Sequence, residues 1–288
     1  MSDMPTVADH IRPDDQESEA LGFSTYRSFT FIRDGVRQVL ECSAQGYTSR
    51  KDIRNHTTLG TVQVEAMPRF AYAAGLTKPD GSLTDLGLTM VDRDPGLVKV
   101  PSQWLVHSKL SSRFSSGPTF WPYLMSYIVD RNSTDSEELR TQLMSLAPAA
   151  AQIGDRAIQY ALTAFAGTYT KPECLGSLGI LTEASDSDQG ERRYLIGANL
   201  SLASPAVAGY VIADYWDHAW PQLKEVNLAL FSEPSGPGSL LLMNSGEVGD
   251  MLKEMQNRGL VQLQRKTPPY QVFRSWGDTS KILEQVYE

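Results

Sequence analysis

Three cations fall within five consecutive positions of the 288-residue chain. Arg50, Lys51 and Arg54 follow Thr48 and Ser49, either of which can cap a helix, so we expect all three along one short helix. Phosphate contacts position a protein on a duplex without specifying a base, and basic side chains at this spacing are suited to make them. The sequence therefore predicts a phosphate-contacting segment here.

Further residues extend this set. Arg69 and Lys78 add positive charge, while Thr61 and Gln63 are of types that can reach base edges. The predicted DNA-binding residues are Arg50, Lys51, Arg54, Thr61, Gln63, Arg69 and Lys78.

Motifs that would support hydrolysis are incomplete. The segment 235–239 is rich in glycine, but no Gly-Lys-Ser/Thr follows to hold phosphate and magnesium. Asp92 with Asp94, and Asp186 with Asp188, each put two carboxylates close together, which is fewer ligands than a metal site needs. Solvated loops explain both pairs better, so no metal and no cofactor is predicted.

The histidines and cysteines do not form a recognisable base and nucleophile. His107 lies beside Trp104 and His218 lies between two tryptophans, which is typical of packing or hydrogen-bonding residues. Cys42 and Cys174 have no nearby histidine or basic cluster and are expected to be reduced thiols. We therefore expect no catalytic residue and no enzymatic activity; a hydrolase with an unrecognised site is the weaker alternative.

The elements that would position the cations follow a compact order. Apolar residues at helical spacing predict a helix over 31–41, a short helix over 48–55 and a third helix over 61–75. Pro68 is expected to kink the third helix or to force a restart, because it lacks an amide hydrogen.

A small hairpin is predicted next, over 76–84, around a Pro-Asp-Gly turn, and Thr84 is expected to cap another helix. Helix, short helix, helix and hairpin is the order of a winged helix-turn-helix. The sequence predicts this module over 29–88.

The middle of the chain is predicted to be mainly helical. Thr134 and Glu137 have the form of a capping box that opens a helix toward Leu146, and another helix is expected over 155–169. The aromatic run 120–123 is assigned to a core first, to an interface second and to base stacking third.

Two hairpins complete the prediction. The short apolar runs 178–181 and 194–196 form the first. Ser245 is expected to cap a helix through residue 257, followed by strands over 260–265 and 270–274. This helix and hairpin resemble half of a second winged helix.

The predicted fold class is α+β, mainly α. It combines an N-terminal winged helix-turn-helix, a helical middle and a C-terminal helix-plus-hairpin unit. The predicted boundaries are 1–24 for a disordered acidic tail, 25–100 for the winged helix domain, 101–230 for the middle domain and 231–288 for the C-terminal unit.

Charge is unevenly distributed along the chain. The net charge of −8 counts against strong general affinity for nucleic acid. One arginine against six acidic residues gives 1–24 a charge of −5, whereas eight basic against four acidic residues give 25–78 a charge of +4. A solvated tail, or a tail that screens the basic module, would account for this contrast.

No apolar run approaches the roughly 20 residues that span a bilayer, and the N-terminus does not have the pattern of a secretory signal. We expect a cytoplasmic protein without a membrane partner.

Several short sequence segments, taken together and in this order along the chain, resemble one bacterial family. They lie at 59–60, 74–76, 83–87, 94–97, 104–107, 119–122, 173–180, 213–216 and 236–238. The family is known as domain of unknown function four thousand and seven, and the resemblance runs from about Phe29 to the end of the chain. It implies an accessory protein encoded beside Dnd-type DNA phosphorothioation genes, with their sulfate-activating reductase-like partner, or in BREX-like phage-defence clusters.

The sequence departs from the family pattern in the third predicted helix. Family members commonly carry basic residues after the Leu-Gly pair, but 61–68 has no Lys or Arg. Only Thr61, Gln63 and Arg69 remain as candidates for reading bases.

Two hypotheses follow. In the first, the module associates with duplex DNA, modified or unmodified, without reading sequence, as a non-enzymatic component of a DNA-modification or phage-defence system. In the second, the protein is an adaptor whose winged helix docks another protein of the same complex. The acidic total charge and the uncharged third helix favour the second hypothesis.

Overall fold

The structure is a computed structural model that describes residues 21–146, 153–184, 192–198, 203–234 and 236–288. These residues form eleven α-helices and two three-stranded antiparallel sheets, so the protein is mainly helical, as the predicted α+β class requires. Most of the predicted acidic tail, the Asp186 and Asp188 pair, and Ser235 lie outside the described residues.

Four helices make up the N-terminal part. They are α1 (Arg33–Ala44), α2 (Arg50–His56), α3 (Gln63–Ala73) and α4 (Asp85–Arg93). Helix α1 buries Val36, Val39 and Leu40 on one face, which confirms its predicted amphipathic character. Helix α2 begins with a capping box, in which Ser49 Oγ accepts from the amide of Asp52 and the Asp52 carboxylate accepts from the amide of Ser49.

Helix α3 is continuous through Pro68, so the predicted restart does not occur. The helix contributes Val64, Met67 and Phe70 to the core. Burial of this face stabilises the helix despite the hydrogen bond that Pro68 cannot donate.

The hairpin after α3 is shorter than predicted. Thr77 and Leu83 form a single antiparallel bridge rather than two strands. The amide of Lys78 donates to the carbonyl of Ser82 (2.7 Å), and the amide of Gly81 donates to that of Lys78 (2.9 Å). Gly81 has φ +81°, a conformation that glycine adopts without steric cost.

A close backbone approach joins this turn to α4. Thr84 caps α4 as predicted, with its Oγ1 accepting from the amide of Gly87 and donating to the carbonyl of Gly75. A methyl group on Gly87 would overlap the carbonyl oxygen of Leu76. Only glycine therefore allows α4 to pack this closely on the chain that leaves α3.

The middle of the chain adds four helices and one sheet. The helices are α5 (Val100–Ser111), α6 (Phe120–Ile128), α7 (Ser136–Leu146) and α8 (Asp155–Thr170). The strands β1 (Ser133–Asp135), β2 (Leu181–Glu183) and β3 (Arg193–Ile196) pair in the order β1-β3-β2.

Two predictions in this part were wrong in detail. Thr134 belongs to β1 and donates to Glu138, while Asp135 accepts from the amide at the start of α7 and takes the expected capping role. Gly176–Leu178 is a 3₁₀ turn, so the first hairpin strand begins only at Leu181.

The aromatic run at the start of α6 lies in the core, as predicted. Phe120 and Trp121 are buried, and Trp121 makes an edge-to-face contact with Phe70 of α3 (centroids 6.1 Å apart). Tyr26 stacks on Phe70 at 3.7 Å. Because Phe120 and Trp121 are inaccessible, they do not form a platform for bases.

The C-terminal part repeats the pattern of helices beside a small sheet. Its elements are α9 (Pro205–Ala219), α10 (Ser245–Asn257) and α11 (Thr279–Gln285), with β4 (Glu225–Asn227), β5 (Val261–Gln264) and β6 (Gln271–Arg274) paired in the order β4-β6-β5. The helix and hairpin are confirmed, but Asn244 rather than Ser245 is the cap. Among the described helices, none combines the length and the apolar character needed to cross a bilayer.

We expect Gly87→Ala to lower the free energy of unfolding by roughly 2 kcal/mol or more, because the new methyl group collides with backbone that cannot move freely. The matched control is Gly249→Ala in α10, where the nearest atom to a new methyl group is the flexible Arg265 side chain at 3.8 Å. That substitution should raise stability by about 0.5–1 kcal/mol. Urea unfolding measures both changes, and equal effects would contradict the close approach.

Candidate nucleic-acid interface

Helix α2 presents its three cations to solvent. Arg50, Lys51 and Arg54 are exposed, while Ile53 is buried and fixes the helix to the core. The capping box at Ser49 fixes the start of the helix. The capping box at its N-terminus and the buried Ile53 therefore fix the short helix in place, and its basic side chains point to solvent.

Arg50 already has a partner. Its guanidinium forms an ion pair with Glu65 of α3 and links the two helices. The Arg50 side chain is 65% exposed, and an exposed pair of this kind contributes only about 0–1 kcal/mol. A phosphate could replace Glu65 at low cost, although Glu65 would remain nearby as an opposing charge.

The start of α3 offers little for reading bases. Gln63 Oε1 accepts from the amide of Gly60 (3.0 Å), so a bidentate contact with adenine would require this bond to break. Thr61 and Val62 are exposed beside it. The structure thus leaves Thr61 accessible and engages Gln63 at the helix terminus.

Arg69 and Lys78 both line one cavity of about 350 Å³. Arg69 is exposed and donates from Nη1 to the carbonyl of Thr25 (2.9 Å), which orients its guanidinium. A Cβ placed on Gly81 would lie 2.8 Å from Thr48 Cβ, so the 78–81 turn packs against the segment that leads into α2. The cavity is therefore lined by α1, α2, α3 and this turn.

We refer to Arg50, Lys51, Arg54, Arg69 and Lys78 as the basic face. Three carboxylates lie among these five cations: Asp52, Glu65 and Asp80. Hydrogen bonds from Ser49 and from Ser82 lower the pKa of Asp52 and of Asp80, respectively, so both stay ionised at neutral pH. The basic face is accordingly only mildly positive.

The apolar residues of this cavity are not among the site residues predicted from sequence. Pro68 and Tyr72 of α3 and Pro79 of the turn line it together with Arg69 and Lys78. The spacing of Arg69 and Tyr72 places both on one side of a helix, which is a signal available from sequence. Their approach to Pro79 depends on the fold.

His107 is fully buried and takes part in a network of hydrogen bonds. Its Nε2 lies 3.0 Å from the carbonyl oxygen of Leu240, which can only accept, so Nε2 carries the hydrogen. Nδ1 then accepts from the Tyr169 hydroxyl (2.9 Å), whose oxygen accepts from Trp121 Nε1 (3.0 Å). Burial lowers the pKa of His107 to about 3 and raises the pKa of Tyr169. His107 thus connects α5, α6, α8 and the 3₁₀ turn at Leu240.

The remaining candidates for chemistry are engaged elsewhere. Cys42 and Cys174 are buried, and burial raises the pKa of both thiols. Asp94 is buried and accepts from the amides of Val98 and Lys99, so it stabilises a loop. No group of three or more histidine, cysteine, aspartate or glutamate side chains in the described ranges is arranged to hold a metal ion.

The buried histidine predicts a pH dependence of stability. The folded-state pKa lies below the ordinary value of 6.5, so the unfolded chain binds the proton more readily and stability falls as pH falls below about 6.5. We expect the free energy of unfolding to decrease by about 1.4 kcal/mol from about pH 7.5 to about pH 5.5 through this one group. Urea unfolding of the wild type and of His107→Gln at both pH values isolates it, since the variant should lack this decrement. An equal pH dependence in both proteins would contradict the assignment.

Two solved structures resemble the chain in fold. A magnesium ion-bound crystal structure of SspB superposes with a TM-score of 0.74 at 18% sequence identity, over 94% of this chain and 90% of that chain. A second crystal structure of SspB gives a TM-score of 0.73 at 17% identity with the same coverage. No family model matches the sequence, and no curated protein is similar enough to count as a match. The overall fold of this chain is therefore one that SspB also has.

Proposed function

We propose that the protein is a DNA-associating accessory component of a bacterial phosphorothioation-type DNA-modification or phage-defence system. Two crystal structures of SspB share its fold. The sequence resemblance to an accessory family encoded beside phosphorothioation genes supports the same context. In this proposal 29–88 acts as a winged helix-turn-helix, with the 78–81 turn as a short wing, and α10 with β5 and β6 corresponds to half of a second one.

The observation that carries the proposal is the basic face. Its cations are exposed on α2, on α3 and on the turn, and the supporting helices are fixed by buried residues. Two of these cations, Arg69 and Lys78, line one cavity. Charge held by a rigid scaffold loses little conformational entropy when it contacts a phosphate backbone.

The chemistry implies modest, sequence-tolerant binding. At most five phosphates can be neutralised by the basic face, so the logarithm of the association constant should fall with the logarithm of salt concentration with a slope no steeper than about −4.5. The acidic neighbours weaken binding further by opposing the phosphate charge.

Charge reversal tests the proposal. We expect the triple change of Arg50, Lys51 and Arg54 to Glu to abolish binding to duplex DNA in a low-salt mobility-shift assay, because it replaces attraction by repulsion on α2. The matched control reverses Arg156, Arg192 and Lys281, which are exposed cations outside the basic face. Equal losses in both proteins, or no binding by the wild type at any salt concentration, would refute the proposal.

The adaptor function is the second candidate. The Arg50–Glu65 ion pair and the exposed Val62 beside it give α2 and α3 a surface suited to a protein as well as to phosphate. Affinity purification with the neighbouring gene products separates the two candidates. Retention of a partner after nuclease treatment favours the adaptor, whereas its release favours association through DNA.

The proposal includes no catalytic step. Because one similar structure is of magnesium-bound SspB, a supercoiled plasmid incubated with the protein and Mg²⁺ provides the sharpest check. If the protein is a non-enzymatic accessory component, the plasmid should remain supercoiled. Nicking activity that copurifies with the folded protein would refute the non-enzymatic role and indicate a nuclease.

A further inference from the structure

We infer that the cavity between α2, α3 and the 78–81 turn binds a phosphorothioate diester, with sulfur against Pro68 and Tyr72 and the negative charge opposite Arg69 and Lys78. The inference rests on the proposed function, since the diester reaches the cavity as part of a DNA strand. It names the chemical feature that the basic face would recognise.

The apolar lining provides the selectivity. Val39 and Ile53 are buried at the cavity, and Pro68, Tyr72 and Pro79 complete its apolar surface. A phosphate oxygen is strongly hydrated and would lose hydrogen bonds to water on entering such a space. Sulfur is larger, more polarisable and a weaker hydrogen-bond acceptor, so it loses less hydration and gains dispersion contacts, including contacts with an aromatic ring.

The cations at the rim provide the affinity. Arg69 and Lys78 can neutralise the single charge of the diester while its remaining non-bridging oxygen accepts hydrogen bonds. Arg69 is already oriented by Thr25, so little freedom is lost on binding. Asp80 also lines the cavity and accepts from Ser82. Its charge leaves the rim with a net charge of +1, which suits one diester and disfavours a doubly charged phosphomonoester.

The cavity is preformed. Two backbone hydrogen bonds hold the turn from Lys78 to Ser82, and Gly81 packs against Thr48 at the entrance to α2. Collapse of the turn onto Tyr72 would break these contacts. Helix α2, which contributes Ile53 to the cavity lining, carries Arg50, Lys51 and Arg54 exposed to solvent, where they can hold neighbouring phosphates of the same duplex.

The experiment compares three duplexes that differ only at one internal phosphate. One internal phosphate is either unmodified, an Rp phosphorothioate or an Sp phosphorothioate, and binding is measured by fluorescence anisotropy at low salt. The two diastereomers point sulfur in different directions, and in the proposed complex only one of these directions faces Pro68 and Tyr72. We therefore expect one diastereomer to bind about fivefold or more tightly than the unmodified duplex and the other to bind less than about twofold more tightly.

Matched variants locate the effect. Tyr72→Ser should remove the preference for sulfur, and so should Pro79→Ser, which lies in the exposed turn outside the core. Lys51→Ala lies outside the cavity and should weaken binding of all three duplexes by the same factor. Thermal melting establishes that each variant is folded, and Pro79→Ser decides the matter if Tyr72→Ser unfolds.

Three other outcomes would each refute a specific part of the inference. Equal affinity of the wild type for all three duplexes refutes sulfur recognition and leaves DNA association intact. A preference that is the same for both diastereomers and survives Pro79→Ser reflects general adhesion of sulfur and refutes the assignment to this cavity. Absence of binding to every duplex refutes the proposed function and this inference together.

Discussion

The segment that enters α1 is fixed to the C-terminal end of α8, and the position of the N-terminal helices depends on this attachment. The buried amide of Phe31 donates to Thr168 Oγ1 (2.9 Å), and the amide of Arg33 donates to the carbonyl of Glu173 (3.2 Å). The Arg33 guanidinium donates to the carbonyls of Pro172 (2.7 Å) and Glu173. An unpaired buried amide costs about 1–3 kcal/mol, so these bonds give the segment one favourable position. Helix α1 therefore starts in a defined direction.

Contacts within the aromatic core fix the position of α3 and, through it, the position of Arg69 in the basic face. Phe70 of α3 contacts Tyr26 and Trp121, and Trp121 in turn contacts Phe165 of α8. Arg69 is the residue next to Phe70, so burial of the Phe70 ring turns Arg69 toward solvent. The same packing that stabilises the core thus sets the direction of a cation at the cavity.

Local signals in the sequence predicted local structure well. The apolar periodicity of α1, the cap offered by Thr48 or Ser49, the Pro-Asp-Gly turn and the cap at Thr84 each involve residues at most four positions apart, where chain geometry is set by backbone preferences. The predictions that were wrong involved competing partners. Thr134 is predicted as a helix cap from its local sequence. It instead pairs with Tyr194 of β3, which lies 60 positions away and gives no local signal. Strand β4 was missed for a similar reason, since three residues carry little periodicity and pair with the distant β6.

The sequence by itself determined which residue types are available, which of them share a helix face, and where most helices begin and end. The five cations grouped as the basic face were chosen from these residue types and spacings alone. Only the tertiary structure decided that Arg50 pairs with Glu65, that Gln63 is engaged at a helix start, and that Pro68, Tyr72 and Pro79 enclose a cavity with Arg69 and Lys78. The physical reason is that periodicity fixes the direction of a side chain around its own helix, whereas the distance between elements depends on how buried surfaces pack.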